Sequence, residues 1–222
     1  MKLSKRLETI YELVPQGTFC ADIGADHGKL IISLAENNIS ISSLAVENKI
    51  GPFKRLKENI SKSKAKDKIK AILSDGIKDI DDNIDTLIIA GMGGDLIINI
   101  LNKDKDKLAN IKYIIVDAHT NSNKLRRYLN ELSFTILEEK IVYEAHIFYE
   151  IIKLERRDKK QDLDELDIKF GPILRKRKDD LFIKKYQLID EKILELLNNK
   201  DKLGEVRSKE LIREHEMIKE VL

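Results

Sequence analysis

The sequence predicts an α/β fold: a doubly wound, mainly parallel sheet of seven strands with helices on both faces, followed by a C-terminal helical coiled-coil hairpin. Three observations support it. Short apolar runs alternate with amphipathic helical stretches as far as residue 132, two further apolar runs follow with no helix between them, and beyond residue 154 the chain becomes polar and then helix-forming. Alternating strands and helices give a parallel sheet because each crossover returns along a helix. We therefore predict an α/β domain at 1–154 and a helical domain at 155–222.

An amphipathic helix comes first, because Leu3, Leu7, Ile10 and Val14 follow three-and-four spacing. Two apolar runs at the end of the series, with only residues 140–145 between them, predict a hairpin with an antiparallel member, an ending that distinguishes this sheet from that of dehydrogenases. The predicted strands are 18–23, 43–47, 69–73, 86–90, 111–117, 134–139 and 146–154, and the helices between them are 28–36, 51–61, 94–101 and 122–132.

The tail begins with a polar stretch at 155–167 and then carries two apolar series. Leucines at 174, 181 and 188 lie seven apart, and after Asn198 a second series runs through Leu203, Val206, Ile212 and Ile218. The pattern predicts two antiparallel helices. These helices serve either to pack or dimerise the protein or to bind a substrate through the basic stretches 175–178 and 184–185.

Composition limits the partners. The chain has 222 residues, 36% of them charged and 42% hydrophobic, so it can bury a core and is not wholly disordered. With 41 basic and 39 acidic side chains, any affinity for nucleic acid must come from local clusters. No apolar run reaches the 18 residues of a membrane span and no signal-peptide core follows the N-terminus, so we expect a cytoplasmic protein without a membrane partner.

The first strand ends in the loop Ala21-Asp22-Ile23-Gly24-Ala25-Asp26-His27-Gly28. Glycine lets backbone approach a ligand closely, and the helix that follows offers unpaired N–H groups. Two carboxylates would repel a pyrophosphate, but they suit a cationic amine or sulfonium such as that of S-adenosyl-L-methionine. For Asp22 and Asp26 a simple helix-capping role is the alternative.

Two further strand ends extend this site. Glu47 follows the second strand, 25 residues after Asp22, where a carboxylate can accept both hydroxyls of a ribose; it is followed by Asn48. Asp75 and Gly76 follow the third strand, where the carboxylate can accept from an adenine amino group. A solvated turn at Glu47 and a tight turn at Asp75 are the alternatives. The fourth strand adds a bare backbone surface at Ala90-Gly91-Met92-Gly93-Gly94-Asp95.

Together these motifs resemble the bacterial tRNA (adenine-22-N1)-methyltransferases, the TrmK family. The resemblance implies a class I, Rossmann-like, S-adenosyl-L-methionine-dependent fold with a C-terminal coiled coil, and N1 methylation of adenine 22 in the tRNA D-arm. It places cofactor contacts at the strand-end loops. The matching stretches are 3–7, 21–27, 51–53, 84–94, 149–151 and 170–172. The implied cofactor-binding residues are Asp22, Gly24, Ala25, Asp26, His27, Gly28, Glu47, Asn48, Asp75, Gly76, Ala90, Gly91, Met92 and Gly93.

The chain departs from the family pattern in two places. The family usually has Leu-Gln-Pro-Asn after the fifth strand, where this chain has Val116-Asp117-Ala118-His119. The family often has an Asp-Asn-Lys type of turn before its Tyr-Glu-Ile, where this chain has Ala145-His146-Ile147.

Methyl transfer from a sulfonium is an in-line displacement, so the enzyme mainly has to place N1 of the adenine opposite the departing sulfur. The product is a cationic base, which a carboxylate accepting from the N6 amino group would stabilise. Asp26 is the catalytic candidate, with a cofactor-orienting role as the alternative. His27 pairs with Asp26, meets the substrate, or is structural. Because the remaining histidines are scattered and there is one cysteine, no metal is expected.

Local basic segments are the candidate RNA contacts, although a charge run is usually only a solvated face. The target adenine must leave its helix before N1 can react. A monomer is favoured over a dimer. The alternatives to a tRNA methyltransferase are an S-adenosyl-L-methionine enzyme acting on another RNA or a small molecule, and a non-catalytic RNA-binding scaffold. The residues predicted to contact tRNA are Lys5, Arg6, Lys54, Arg55, Lys57, His119, Arg175 and Arg177.

Overall fold

A computed structural model describes residues 2–198 and 203–222. The chain divides into two compact units, residues 1–162 and 163–222. The division falls eight residues beyond the predicted boundary at 154, because the chain stays attached to the first unit after its last strand. There the Gln161 N–H donates to Asn130 Oδ1 (2.8 Å) and Gln161 Oε1 accepts from the Ile136 N–H (3.0 Å). Among the residues described, no helix is both long and apolar enough to span a membrane.

The first unit is built on a single sheet whose described strands follow the order β3-β2-β1-β4-β5-β7-β6. Strands β1 to β5 pair in parallel, and β7 runs antiparallel to both β5 and β6. The strand order reverses between β1 and β4, so a crevice opens there at the carboxyl edge. The strands are β1 Thr18–Ile23, β2 Ser40–Glu47, β3 Ile69–Leu73, β4 Thr86–Met92, β5 Tyr113–Ala118, β6 Phe134–Glu144 and β7 Ile147–Arg156.

Helices cover both faces of this sheet. The first, α1, starts where the Ser4 hydroxyl accepts a hydrogen bond from the Leu7 N–H (3.4 Å) and packs on β6 and β7 through the buried Ile10 and Leu13. This packing places the first turn of α1, which carries Arg6, beside the carboxyl edge of the sheet. The helices of the unit are α1 Lys5–Leu13, α2 Lys29–Glu36, α3 Ile50–Lys62, α4 Gly94–Lys103 and α5 Ser122–Glu131.

The terminal hairpin is longer than the sequence predicted. Residues 140–144, expected in a loop, continue β6, and β7 begins directly after a two-residue turn. Ala145 (φ 49°) and His146 (φ 64°) form that turn, with the positive φ values that tight hairpin turns require. The prediction of a loop was wrong because β6 lies at the edge of the sheet, where charged side chains such as Lys140 are tolerated within a strand.

The second unit contains α6 Glu165–Phe170, α7 Pro172–Arg177, α8 Asp180–Asn198 and α9 Glu205–Val221. The leucine series at 174, 181 and 188 predicted one continuous helix, and that prediction was wrong. Lys178 is left-handed (φ 48°), and Asp179 Oδ1 accepts from the Phe182 N–H (2.9 Å), which begins a new helix. The basic stretch 175–178 therefore precedes the hairpin of α8 and α9, and the predicted turn after Asn198 falls largely outside the residues described.

The predicted apolar seam of that hairpin is only partly right, because Ile218 is buried as the second series predicted, whereas Leu188 and Val206 are exposed. On α8 the buried side chains are Phe182, Tyr186 and Ile193, whereas Leu188 is 37% exposed. On α9 the buried side chains are Leu211, Ile218 and Val221. The break before α8 removes Leu174 from the helix, so the seven-residue series of leucines does not mark one face.

Candidate active site

The crevice at the reversal of strand order holds a cavity of about 310 Å³. Loops after β1 and β4 form its walls, and the first turn of α1 closes one side with Arg6 and Leu7. Seven of the residues predicted from the sequence as cofactor contacts line it. They are Asp22, Gly24, Ala25, Asp26, His27, Ala90 and Gly91.

Asp22 is the buried charge of this cavity, with 5% of its surface exposed. Burial raises its pKa from 3.8 to about 7; the nearby Arg6 opposes the rise and Glu47 adds to it. Near neutral pH the carboxyl therefore lies close to half ionisation. A positively charged ligand entering the cavity would favour the carboxylate form, so the cavity suits a cation.

Glu47 organises the loop after β1 rather than lying in solvent. Its Oε1 accepts from the backbone N–H groups of Asn48 (3.0 Å) and Lys49 (2.9 Å), and its Oε2 accepts from the Asp26 N–H (3.3 Å). The side chain is buried, so the alternative of a solvated turn is wrong. Oε1 already accepts two hydrogen bonds, whereas Oε2 accepts one, and its second lone pair leaves capacity for a ribose hydroxyl. The sequence indicated the acid but not its three backbone partners.

A second, smaller hollow lies across the edge of β1, lined by Asn48, Asp75, Gly76 and Met92 among others. Gly24 borders both hollows, with φ +77°, and a Cβ there would lie 2.5 Å from Met92 Cε. The positive φ at Gly24 favours glycine there. Gly24 therefore separates two hollows at the carboxyl edge of the sheet, one of them lined by the buried carboxyl of Asp22.

Asp75 already has a partner in this hollow. Lys103 Nζ lies 2.9 Å from Asp75 Oδ2, and that hydrogen bond lowers the pKa of the carboxyl. Two other predicted contact residues pack against protein: a Cβ on Gly28 would lie 2.5 Å from Leu56 Cδ1, and one on Gly93 would lie 3.0 Å from Thr120 Oγ1. These two glycines support the loops from behind.

Asp26 and His27 stand at the mouth of the cavity. The Asp26 side chain is 62% exposed, and its Oδ2 lies 3.6 Å from His27 Nε2. Helix α2 is capped by Gly28 without a side-chain hydrogen bond, so the alternative of Asp26 as a helix cap is wrong. In solvent the pair adds little stability, which leaves both side chains available to a ligand.

Sequence reasoning missed a cluster beside the cavity, although it named two of its members as RNA contacts. Arg6 Nη1 lies 2.5 Å from Asp117 Oδ2, and the Arg6 guanidinium stands 5.2 Å from the centre of the Tyr149 ring. His119 meets the same ring edge-on at 5.1 Å, and a Cβ on Gly91 would lie 3.4 Å from Arg6 Nη1. Asp117, at the end of a buried strand, was the available sequence signal.

Burial raises the pKa of Asp117, and its hydrogen bond with Arg6 is the strongest influence that opposes the rise. Its other oxygen, Oδ1, is buried without a well-aligned hydrogen bond among the described residues, although the Gly91 backbone amide also lowers the pKa. Arg6 is therefore the main counter-ion of Asp117.

The Tyr-Glu-Ile stretch also has a structural part. Arg126 on α5 is fully buried; its Nε lies 2.7 Å from Glu139 Oε1 and its Nη2 lies 2.7 Å from Glu150 Oε2. The triad ties α5 to the terminal hairpin and so fixes the β7 segment that carries Tyr149. Sequence reasoning assigned no role to Arg126.

The remaining predicted RNA contacts lie outside the cavity. Lys54, Arg55 and Lys57 are exposed on α3, and Lys5 is exposed at the start of α1. In the second unit Arg175 Nη1 lies 2.5 Å from Asp164 Oδ1 and Arg177 Nε lies 3.2 Å from Asp179 Oδ2. Within residues 2–198 and 203–222 no group of three or more histidine, cysteine or acidic side chains is placed to hold a metal ion.

Comparison with known proteins bears on this site. The family model for tRNA (adenine(22)-N(1))-methyltransferase, TrmK, matches residues 20–220. The tRNA (adenine(22)-N(1))-methyltransferase of Bacillus subtilis is 33% identical over 100% of this chain and 98% of its own length. A candidate tRNA (m1A22) methyltransferase from Streptococcus pneumoniae, solved with S-adenosyl-L-methionine, is 34% identical with a TM-score of 0.91 over 100% of both chains. TrmK of M. capricolum, solved with S-adenosyl-homocysteine, is 28% identical with a TM-score of 0.88, over 99% of this chain and 97% of its own.

Proposed function

The chain belongs to the TrmK family of tRNA (adenine(22)-N(1))-methyltransferases, and from that premise we propose how its residues transfer a methyl group to N1 of adenine 22 in the tRNA D-arm. It is an S-adenosyl-L-methionine-dependent tRNA methyltransferase with a class I, Rossmann-like fold, as its sequence motifs indicated. The observation that carries the proposal is the pair of hollows on either side of Gly24, one of them containing the buried carboxyl of Asp22.

The charges of the residues at these hollows suit the cofactor. Asp22 would face its cationic methionine end, Glu47 its ribose hydroxyls, and Asp75 with Asn48 its adenine. When bound, the cofactor supplies a methyl group activated by a sulfonium. Gly24 and Gly91 line the cavity without a side chain, which leaves their backbone open to close approach by the cofactor.

The protein's part in the chemistry is to position the acceptor. N1 of adenine has a free lone pair, so no covalent nucleophile is required, but positive charge develops on the base. Asp26, at the mouth of the cavity, would accept from the N6 amino group, with His27 beside it. In an Asp26→Asn variant we expect slower single-turnover methylation with unchanged cofactor affinity. An unchanged rate would exclude Asp26 from catalysis.

Adenine 22 must be extruded from the RNA to enter the cavity. Phosphate contacts would come from Lys54, Arg55 and Lys57 on α3, from Lys5 on α1, and from the second unit at Arg175 and Arg177. Because the chain is nearly neutral and its basic side chains would contact the RNA in a few patches, we expect its affinity for tRNA to fall steeply as the salt concentration rises. We also propose that the protein acts as a monomer, in the cytoplasm and without a metal.

The test is methyl transfer from labelled S-adenosyl-L-methionine to unmodified tRNA, followed by mapping of the modified nucleotide. Label at N1 of adenine 22 is expected. A tRNA in which adenine 22 is replaced by guanine is the matched control and should stay unlabelled. Cofactor binding without tRNA labelling would favour another RNA or a small molecule as the substrate, and no transfer to any acceptor would favour a binding scaffold.

A further inference from the structure

Arg6 lies beside two buried carboxyl groups that belong to different parts of the site. It pairs directly with Asp117 at the end of β5, at 2.5 Å, and its charge opposes the rise in the pKa of Asp22 at the end of β1. The Arg6 side chain is 22% exposed and lines the cavity, whereas the Asp117 side chain is fully buried. Arg6 is therefore the member of this pair that a ligand in the cavity can touch.

Arg6 lines the cavity together with Ala90 and Gly91 of β4. Arg6 Nη1 and His119 Nε2 are among the nearest atoms to the space in front of Gly91, at 3.4 and 3.8 Å from an ideal Cβ there. Asp22 and Gly24, the proposed cofactor contacts, line the same cavity one strand away. A base that presents N1 to the methyl group must therefore enter between the β1 loop and Arg6.

We propose that Arg6 contacts and orients the target adenine, and that Asp117 acts as a positioning residue that holds and neutralises the Arg6 guanidinium. This inference rests on the proposed function. Guanidinium N–H groups can donate to the ring nitrogens N3 or N7 while leaving the N1 lone pair free. The Tyr149 ring restricts the orientation of the guanidinium, which reduces the entropy lost on contact.

Asp117 makes such a donor compatible with the reaction. Methylation places a positive charge on the adenine, and an unpaired guanidinium beside it would oppose that charge in a site of low dielectric. The Asp117 carboxylate cancels the charge of Arg6 and keeps its donors aimed into the cavity. Asp117 thus acts through Arg6 and does not itself touch the base.

The experiment measures single-turnover methylation of unmodified tRNA with cofactor saturating for each variant, so that cofactor affinity does not enter. For Arg6→Gln we expect a rate about 10- to 100-fold lower, the loss typical of one hydrogen bond to a charged group. Arg6→Lys should rescue little of it, because an ammonium lacks the planar fork. Glu8→Gln, an exposed single-charge change on the same helix, is the matched control and should be unaffected.

The double variant separates positioning from packing. Asp117→Asn alone should slow transfer, and Arg6→Gln combined with Asp117→Asn should be no slower than Arg6→Gln, because Asp117 acts through Arg6. If the rate losses of the two single variants add up in the double variant, the positioning role of Asp117 is overturned. An unchanged rate in Arg6→Gln would overturn the whole proposal. If circular dichroism shows that Arg6→Gln does not fold, the methylation rates of Arg6→Lys and Asp117→Asn test the proposal instead. Wild-type rates in both variants would overturn the proposal. Wild-type protein that labels no tRNA rejects the proposed function itself.

Discussion

Replacing Asp22 with asparagine should make the protein more stable and its cofactor binding weaker. The carboxyl is buried at the floor of the cavity, and its pKa rises from 3.8 to about 7 in the folded chain. Above pH 4 the folded state therefore holds a proton that the unfolded state has released, so stability falls as pH rises towards 7 and is constant above it. Asparagine has no proton to lose and escapes this penalty.

The size of the effect follows from the two pKa values. The interval from 3.8 to about 7, at about 1.36 kcal/mol per pKa unit, gives a penalty of about 4 kcal/mol at pH 7.5. At pH 5.5 the stability penalty comes only from the interval between 3.8 and 5.5 and is about 2 kcal/mol. The stability gained by Asp22→Asn should therefore be about 2 kcal/mol larger at pH 7.5 than at pH 5.5.

The affinity of the wild-type protein for the cofactor should instead rise with pH. With a pKa of about 7, only about 3% of Asp22 is ionised at pH 5.5 and about three-quarters at pH 7.5, so wild-type affinity for S-adenosyl-L-methionine should rise about 25-fold across this interval. The Asp22→Asn variant should bind more weakly at pH 7.5 and vary little with pH.

Urea unfolding and titration calorimetry at both pH values provide the measurements. Asp67→Asn, which removes an exposed carboxyl, is the control and should change neither quantity. A variant less stable than wild type at pH 7.5, or a wild-type cofactor affinity that does not vary between the two pH values, would refute the assignment of Asp22 as a buried, cation-binding carboxyl.

Three other substitutions test separate parts of the structure. Gly24→Ala should weaken cofactor binding more than tenfold in calorimetry, because φ is +77° and the new methyl would lie 2.5 Å from Met92 Cε; unchanged binding would contradict the close approach. Arg126→Ala should lower the free energy of unfolding by about 3–5 kcal/mol, since it removes a buried cation that pairs with two buried glutamates, and a loss below about 1 kcal/mol would argue against the triad. Lys54→Gln combined with Lys57→Gln should reduce the slope of log tRNA affinity against log salt by about 1.5 without altering cofactor affinity, and an equal slope would remove α3 from the RNA interface.

The local sequence pattern determined the order of the strands and helices and the strand ends that form the site. The alternation of apolar runs with helical stretches fixed the order of strands and helices, because each run reflects only the spacing of neighbouring side chains. Acidic and glycine residues at successive strand ends indicated a single site, because parallel strands bring their carboxyl ends to one edge. Asp22, Gly24 and Gly91 line one cavity, Asp75 lines the neighbouring hollow, and Glu47 lines neither of the two.

Packing decided the features that depend on distant residues or on exposure. Whether Lys140 lies in a strand depends on β6 being at the sheet edge, and which apolar residues of α8 are buried depends on where the helix breaks. The Arg6–Asp117 pair joins residues 111 positions apart in the chain, and no periodicity in the sequence links them. The raised pKa of Asp22 likewise comes from burial, a property of the folded chain. The sequence therefore determined which strand ends meet, whereas tertiary structure decided which charges are buried together there, because desolvation and pairing exist only once distant segments have packed.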